Sequence, residues 1–200
     1  MQTPSSRSVT QLTDPVALRA LAHPTRLALV GLLRREGPLT ATRAGELLGE
    51  SSGSTSFHLR QLAKYGLVEE AGGGQGREKP WRATTMFTSW DLVPPNPESA
   101  AATELLTKVV AEMYLAKFMR WRDVKAREPQ EWQEAAEFGD TLLYVTAAEL
   151  ADLNQKVHDL LDPFLDRMVR PELRPPGSRQ VSYLHIAHPV MAEAVDGASS

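Results

Sequence analysis

Three short helical patterns followed by a glycine-rich hairpin, all within residues 21–83, constrain the fold more than any other feature of this sequence. Apolar residues recur at helical spacing in TRLALVGLLRRE until Gly37 and Pro38 stop the pattern. Thr40 is then the expected N-cap of the helix ATRAGELLG, and Ser51 that of SGSTSFHLRQLAKYG. Two short helices joined by a tight glycine-containing link are typical of a helix-turn-helix unit.

After Gly66 the apolar period changes from that of a helix to that of a strand. LVEEA and WRATTMF predict two strands, and the loop GGGQGREKP between them is rich in glycine and carries Arg77 and Lys79. A further helix is expected to start at Asp14 and Pro15, as an N-cap followed by proline at the first helical position. Together these signals predict a winged helix-turn-helix domain over residues 14–90 that docks on DNA.

The rest of the chain is predicted to form a second unit. Residues 91–98 hold three prolines in a polar run and are the expected linker. A long helix with a broad apolar stripe is predicted from about 99 to 127, and such a helix needs a partner to cover that stripe. Beyond it we expect a short helix in QEWQEAAE, a strand in DTLLYVT, a helix capped by Thr146 and Glu149, and a final strand in SYLHIAHP. The predicted class is α+β, with a winged helix-turn-helix domain, a dimerisation helix and a small α+β domain within residues 99–190.

Charge and composition narrow the possible functions. Residues 1–90 hold 11 basic and 7 acidic side chains, whereas residues 91–200 hold 11 and 18, so that only the first part suits contact with phosphates. The chain has no cysteine, which excludes disulfides, thiolate metal sites and cysteine nucleophiles. The sequence has no signal peptide and no apolar run of about 20 residues, so a soluble, cytoplasmic protein is expected. It has no phosphate loop after a strand and no nucleophile motif, and we expect no enzymatic activity.

The third helical pattern has two chemically different faces at about 100° per residue. Arg60 could read guanine or bind phosphate, and Phe57 offers apolar contact to a thymine methyl. Ser54 and Ser56 flank this outer face near the helix N-terminus, where hydroxyls and free N–H groups can approach DNA. His58 lies off this face and is expected to be a packed or capping residue. The predicted inner set is Thr55, Leu59 and Leu62, and the outer set is Gly53, Phe57, Arg60 and Lys64; the alternative is that the outer residues are only solvated.

The sequences LAHPTRLALVGLL and LLGESSGSTSFHLRQLAKYGLV, with the glycine-arginine hairpin, resemble the bacterial ArsR-type winged-helix repressors over roughly residues 14–90. The resemblance implies a homodimer that places two recognition helices in successive major grooves of a palindromic operator, with binding controlled by a signal. It also implies operator contacts on the recognition helix and the wing. The residues at these positions are Ser52, Ser54, Ser56, Phe57 and Arg60 on the helix and Arg77 and Lys79 on the wing.

The sequence departs from the metal-sensing members of that family. The chain lacks cysteine, and its long helix lacks histidine, so neither a thiolate site nor a metal site on the dimerisation helix is expected. His158, Asp162, His185 and His188 offer another possible metal set, but His185 and His188 are three apart on a predicted strand and point to opposite faces. We therefore expect no metal and no cofactor. The acidic run Glu128, Glu131, Glu134, Glu137 and Asp140 is interpreted as a solvated face and not as paired catalytic carboxylates.

A small apolar effector is the remaining candidate for the signal that controls DNA binding. Large aromatic and thioether side chains concentrate immediately after the linker, where they could form either a dimer core or a ligand pocket. The dimer core is the simpler interpretation, although a cavity at a dimer interface would couple ligand binding to the spacing of the recognition helices. The candidate ligand-binding residues are Met113, Tyr114, Phe118, Trp121, Trp132 and Phe138.

The function predicted from sequence is therefore a homodimeric, sequence-specific transcriptional regulator, most simply a repressor, that binds double-stranded DNA. The alternative is a winged-helix module for protein contacts, whose acidic C-terminal half recruits a partner. Replacing Arg60 and Arg77 with alanine distinguishes the two hypotheses. The first requires that DNA binding is lost, and the second does not.

Overall fold

The computed structural model describes residues 9–73 and 79–190. Within these ranges the chain forms seven α-helices and four short strands. The helices are α1 (Pro15–Leu21), α2 (Pro24–Glu36), α3 (Ala41–Leu48), α4 (Ser52–Ala63), α5 (Pro97–Val124), α6 (Gln130–Ala135) and α7 (Ala147–Val169), and the strands are β1 (Val9–Leu12), β2 (Val68–Glu70), β3 (Trp81–Ala83) and β4 (Phe87–Trp90).

The helix starts predicted from capping residues are confirmed. The Asp14 side chain accepts a hydrogen bond from the Val16 N–H at 2.9 Å, and Pro15 occupies the first turn of α1. The Thr40 and Ser51 hydroxyls cap α3 and α4 in the same way. At α7 the Thr146 hydroxyl accepts from the Glu149 N–H and the Glu149 carboxylate accepts from the Thr146 N–H, which completes the predicted capping box.

Two small sheets accompany the helices. Strand β2 pairs antiparallel with β3, as expected for the two strands of a wing, with Val68 opposite Ala83. Of the strand predicted over residues 81–87, Trp81–Ala83 form β3. Phe87 begins β4, which continues to Trp90 and pairs in parallel with β1. Strand β1 was not among the elements predicted from the sequence; its last residue, Leu12, is buried in the core.

The hydrophobic core lies among α1–α4, β2 and the beginning of α5. Leu29, Leu59 and Leu62 are fully enclosed there, and Thr55 is buried beside them with its hydroxyl bonded to the Ser51 carbonyl at 2.9 Å. Each helix contributes one apolar face and leaves the other to solvent, which is how short helices become stable in a small domain.

The first part of α5 belongs to this same core. Ala102 and Leu106 are fully buried against the helices of the winged domain, and α5 packs mainly on α1. Polar contacts strengthen the junction: the Trp90 indole N–H donates to the Thr107 hydroxyl at 3.1 Å, and Arg19 pairs with Glu98 at 3.1 Å. Helix α5 begins at Pro97, inside the segment predicted as a linker (residues 91–98), and packs back onto the domain before it.

The second part of the chain is loosely packed. Between residues 107 and 190 no side chain is buried. The two strands predicted in this region were wrong: DTLLYVT (140–146) and SYLHIAHP (182–189) form neither helix nor strand. A strand is stable only when its N–H and C=O groups meet a neighbouring strand, and neither segment has one within the described part of the chain.

The mixed helix and strand class and the long helix after an N-terminal helix-turn-helix domain are confirmed. All strands of the described residues lie before residue 91, so the β contribution is confined to the N-terminal part. Pro163 lies within α7 and the helix continues through it, although proline inside a helix removes a backbone hydrogen bond. Among the described residues no single helix is long and apolar enough to cross a membrane; α1 and α2 reach such a composition only together, across an 84° bend.

Candidate nucleic-acid interface

Helix α4 is held in place by its inner face. Thr55, Leu59 and Leu62 are each 0% exposed, as the helical spacing predicted. Gly45 on α3 allows the two helices of the motif to approach closely, because a Cβ atom there would lie 2.7 Å from the Glu50 carbonyl oxygen. With one face locked into the core, the opposite face of α4 is presented outward as a fixed surface.

The outer face of α4 carries the residues that were predicted to meet DNA. Phe57 is 50% exposed although it is apolar, and its ring packs edge-on against His58 at 5.3 Å. Ser54 and Ser56 are half-buried rather than fully outward. The exposed members are Ser52, Gly53, Phe57 and Arg60 on the helix and Lys64 at its C-terminal end.

The Glu50 carboxylate forms hydrogen bonds at the N-terminus of α4, and this role was not predicted from the sequence. Its two oxygens accept hydrogen bonds from the hydroxyls of Thr25 at 3.3 Å and Ser54 at 3.2 Å. A carboxylate in front of a helix N-terminus is favourable electrostatically. In the free protein the Ser54 hydroxyl is therefore engaged with Glu50, and it would have to leave this acceptor to contact DNA.

A small cluster of rings connects α2 with the recognition helix. The His23 Nδ1 atom accepts from the Thr25 N–H at 3.2 Å and so caps α2, and its ring lies 4.7 Å from that of His58. Burial and the neighbouring Arg26 lower the pKa of both histidines. His58 is thus a packed residue, as predicted, and the capping role belongs to His23. Both rings are favoured in the neutral form.

Acidic side chains of β2 pair with basic side chains on the opposite side of the wing. Lys79 Nζ donates to Glu70 Oε2 at 2.7 Å, and this bond raises the pKa of Lys79. Across the same hairpin Arg82 donates to Glu69 at 2.8 Å. Arg77, the other predicted wing contact, lies outside the described residues. Arg82 was missed by the sequence interpretation, although its alternation with Trp81 and Ala83 in β3 would have placed it on the solvent face.

One arginine fastens α2 to the strands behind the wing. Arg34 Nε donates to the Thr85 carbonyl at 2.9 Å, and a terminal nitrogen donates to the Thr88 hydroxyl at 2.6 Å. Arg34 is therefore a structural residue, and its positive charge is not part of the outer surface of α4.

Three of the six predicted ligand-binding residues come together at a groove. Phe118 stacks on Phe138 at 5.0 Å and on Trp121 at 6.2 Å between ring centroids. These rings line an open groove of about 470 Å³ at the end of α5. Trp132 does not line it and instead lies beneath the Arg179 guanidinium. The remaining predicted residues, Met113 and Tyr114, are half-buried on α5 and do not line the groove either.

The histidines considered for a metal do not assemble a ligand set. The rings of His158 and His185 lie 5.5 Å apart, edge to face. Within residues 9–73 and 79–190 no three histidine or acidic side chains are grouped as metal ligands would be.

Comparison with models of protein families matches residues 21–71 to a helix-turn-helix domain. The matched range runs from the end of α1 to the residue after β2 and includes the whole of the geometry around α4. The chain carries a helix-turn-helix DNA-binding domain. The match spans about a quarter of the chain and supports DNA binding and transcription regulation in general. No curated protein matches the chain.

Proposed function

We propose that this chain is a sequence-specific transcriptional regulator, most simply a repressor, that binds a palindromic operator as a homodimer. The observation that carries the proposal is the outer face of α4. Its inner face is wholly buried, whereas Phe57 and Arg60 stand exposed on the other side at the spacing of a groove-reading helix. The resemblance to ArsR-type repressors supports the same architecture.

The charge distribution supports DNA as the partner and predicts how the DNA affinity should depend on salt concentration. The basic residues 1–90 contain the helix-turn-helix match, and the acidic excess lies in residues 91–200. Each phosphate contact made by a lysine or arginine adds about 0.9 to the slope of log affinity against log salt. A dimer that loses Arg60 from both subunits should therefore lose roughly 1.8 from that slope if Arg60 binds phosphate.

Selection of genomic DNA fragments by the purified protein tests the proposal. The variants Arg60→Ala and Arg77→Ala should lose the enriched sequence while keeping the mass of the wild-type assembly. Arg35→Ala is the matched control: it removes the same charge at the end of α2, where Arg35 pairs with the adjacent Glu36 at 2.8 Å. An enriched palindrome that survives in both test variants would contradict these contacts. No enrichment at all would favour the alternative, a winged helix used for protein contacts.

We further propose that the signal is a small organic molecule held at the groove formed by Phe118, Trp121 and Phe138. The support is that aromatic rings from α5 and from the segment after α6 meet there with an open side. Titration of aromatic and aliphatic compounds into the protein–operator complex tests this. A compound that releases DNA from the wild type and not from Phe118→Ala would support the site, with Trp132→Phe as the control outside it.

A further inference from the structure

The C-terminal half exposes far more surface than a folded chain of its size should. A compact protein of 22.0 kDa exposes about 9,300 Å², and this chain exposes 14781 Å². Residues outside the described ranges do not explain the difference. If all 23 of them exposed the area of an unfolded chain, about 160 Å² each, and the other 177 residues formed a compact unit exposing about 8,500 Å², an excess of about 2,500 Å² would remain.

Many of the exposed apolar side chains lie on α7 and on the segments that flank it. Apolar residues on α7 recur at alternating steps of three and four, the spacing of a helix seam that packs against another helix. Leu160 is 73% exposed and Phe164 57% exposed. The main packing of α7 within the described residues is with the short turn Pro171–Leu173 that follows it. The seam consists of Leu150, Leu153, Val157, Leu160 and Phe164.

The opposite face of α7 carries charged and polar side chains. Lys156 pairs with Asp152 at 2.6 Å, and Gln155 donates to Asp159 at 2.8 Å. A helix with one charged face and one apolar face is stable only when the apolar face is covered. The segments 140–146 and 181–190 have the same need. Tyr144, Leu142 and Ile186 are all more than two thirds exposed, and neither backbone has a neighbouring strand among the residues that the structure describes.

We propose that the seam of α7 and the two flanking segments are an interface with a second copy of this chain, so that the C-terminal half acquires its core only in the dimer. This rests on the proposed homodimer and adds a second contact to that of α5. An excess of about 2,500 Å² per chain, or about 5,000 Å² for two chains, is in the range of total area that obligate homodimers bury.

The negative charge of this region and its contact with α5 favour a second copy of the chain over a membrane as the partner. Residues 91–200 have 18 acidic and 11 basic side chains, which is unsuited to the anionic surface of a membrane. The apolar surface is also continuous with the helix proposed to dimerise: Phe138, which leads into segment 140–146, stacks on Phe118 of α5. One interface can therefore run from the second part of α5 to α7.

Leu160→Glu tests the interface without disturbing the core, because Leu160 is exposed in the single chain. We expect this variant, and Phe164→Glu, to raise the dimer dissociation constant at least tenfold in sedimentation equilibrium. Leu92→Glu is the matched control, since Leu92 is 71% exposed and lies before α5; it should leave the constant unchanged. Hydrogen exchange of the wild-type dimer should show protected amides in 140–146 and 181–190, with protection lost on dilution to monomer.

The outcomes separate this inference from the proposed function. A dimer as tight in Leu160→Glu as in the wild type, or a dimer whose amides in 140–146 and 181–190 exchange freely, would overturn the interface and leave the DNA-binding proposal standing. A wild-type chain that stays monomeric at every concentration would overturn both. A dimer weakened by Leu160→Glu that selects no DNA sequence would support the interface and reject the regulator.

Discussion

Gly45 is the position where one methyl group should change both the stability of the domain and the placement of its recognition helix. A Cβ atom on Gly45 would lie 2.7 Å from the Glu50 carbonyl oxygen and 3.0 Å from the Thr55 hydroxyl oxygen. Both atoms are fixed: the Glu50 N–H donates to the Gly45 carbonyl at 2.9 Å, and Thr55 is buried. The Gly45→Ala variant must therefore move α3 away from the start of α4.

The size of the effect follows from two opposing contributions. Alanine favours a helix over glycine by roughly 0.5–1 kcal/mol. Overpacking a well-packed site costs about 1–3 kcal/mol, so Gly45→Ala should be destabilising by about 0.5–2 kcal/mol. Gly31→Ala is the matched control because Gly31 is also helical and has no atom within 4 Å of its Cβ position. It should show only the favourable contribution, a stabilisation of roughly 0.5–1 kcal/mol.

Urea unfolding followed by circular dichroism measures the difference, and DNA affinity supplies a second observable. The two variants should differ by about 1–3 kcal/mol in the free energy of unfolding, since the helix contribution cancels between them. At a temperature where both are folded, Gly45→Ala should bind DNA more weakly and Gly31→Ala should bind like the wild type. Equal stability of the two variants would refute the close approach of α3 and α4.

Three further predictions concern single polar groups. Arg34→Ala should lower the free energy of unfolding by about 1–3 kcal/mol, because two hydrogen bonds of a partly buried guanidinium are lost; a urea midpoint equal to that of the wild type would contradict this. The pKa of His58 in the folded chain is lowered from 6.5, so in this range the folded chain binds fewer protons than the unfolded chain. The free energy of unfolding should therefore keep its full His58 contribution above about pH 6.5 and decrease as the pH drops toward the folded-state pKa. Thermal unfolding between pH 7.5 and 5.5 should show a smaller loss in His58→Gln than in the wild type. Glu70→Gln should bind DNA a few-fold more tightly at low salt, since it removes a carboxylate from the wing and releases Lys79, and fluorescence anisotropy should show the gain vanishing at high salt.

The sequence alone predicted the helix starts where a capping residue and an apolar helical period occur together. Asp14, Thr40, Ser51 and Thr146 each precede an apolar helical period, and each caps a helix in the structure. Capping is predictable because the side chain bonds to N–H groups two or three residues away, which needs no tertiary information. The inner face of α4 was predictable for a similar reason, as burial follows from helical spacing.

Features that depend on distant residues were not predictable in this way. β1 pairs with β4 across more than 70 residues, and a four-residue strand in a polar stretch carries no periodic signal of its own. The Glu50 contacts with Thr25 and Ser54 depend on how α2 and α4 cross. The segments 140–146 and 182–189 have the residue types of strands, but the described part of the chain contains no strand beside them, and composition alone does not supply one.

Helix α5 joins the two parts of the chain as a rigid element. It has 28 residues and is therefore about 42 Å long, and its first half is fixed in the winged-helix core through Ala102 and Leu106. Its second half exposes Leu115 and Met119, where the groove proposed to hold an effector and the proposed dimer contact lie. A displacement of the second half must therefore be transmitted to α1 at the first half, since a continuous helix resists bending without proline or a bulge inside it. If an effector binds at the groove as proposed, this packing, which does not pass through residues 91–96, would connect it to α4.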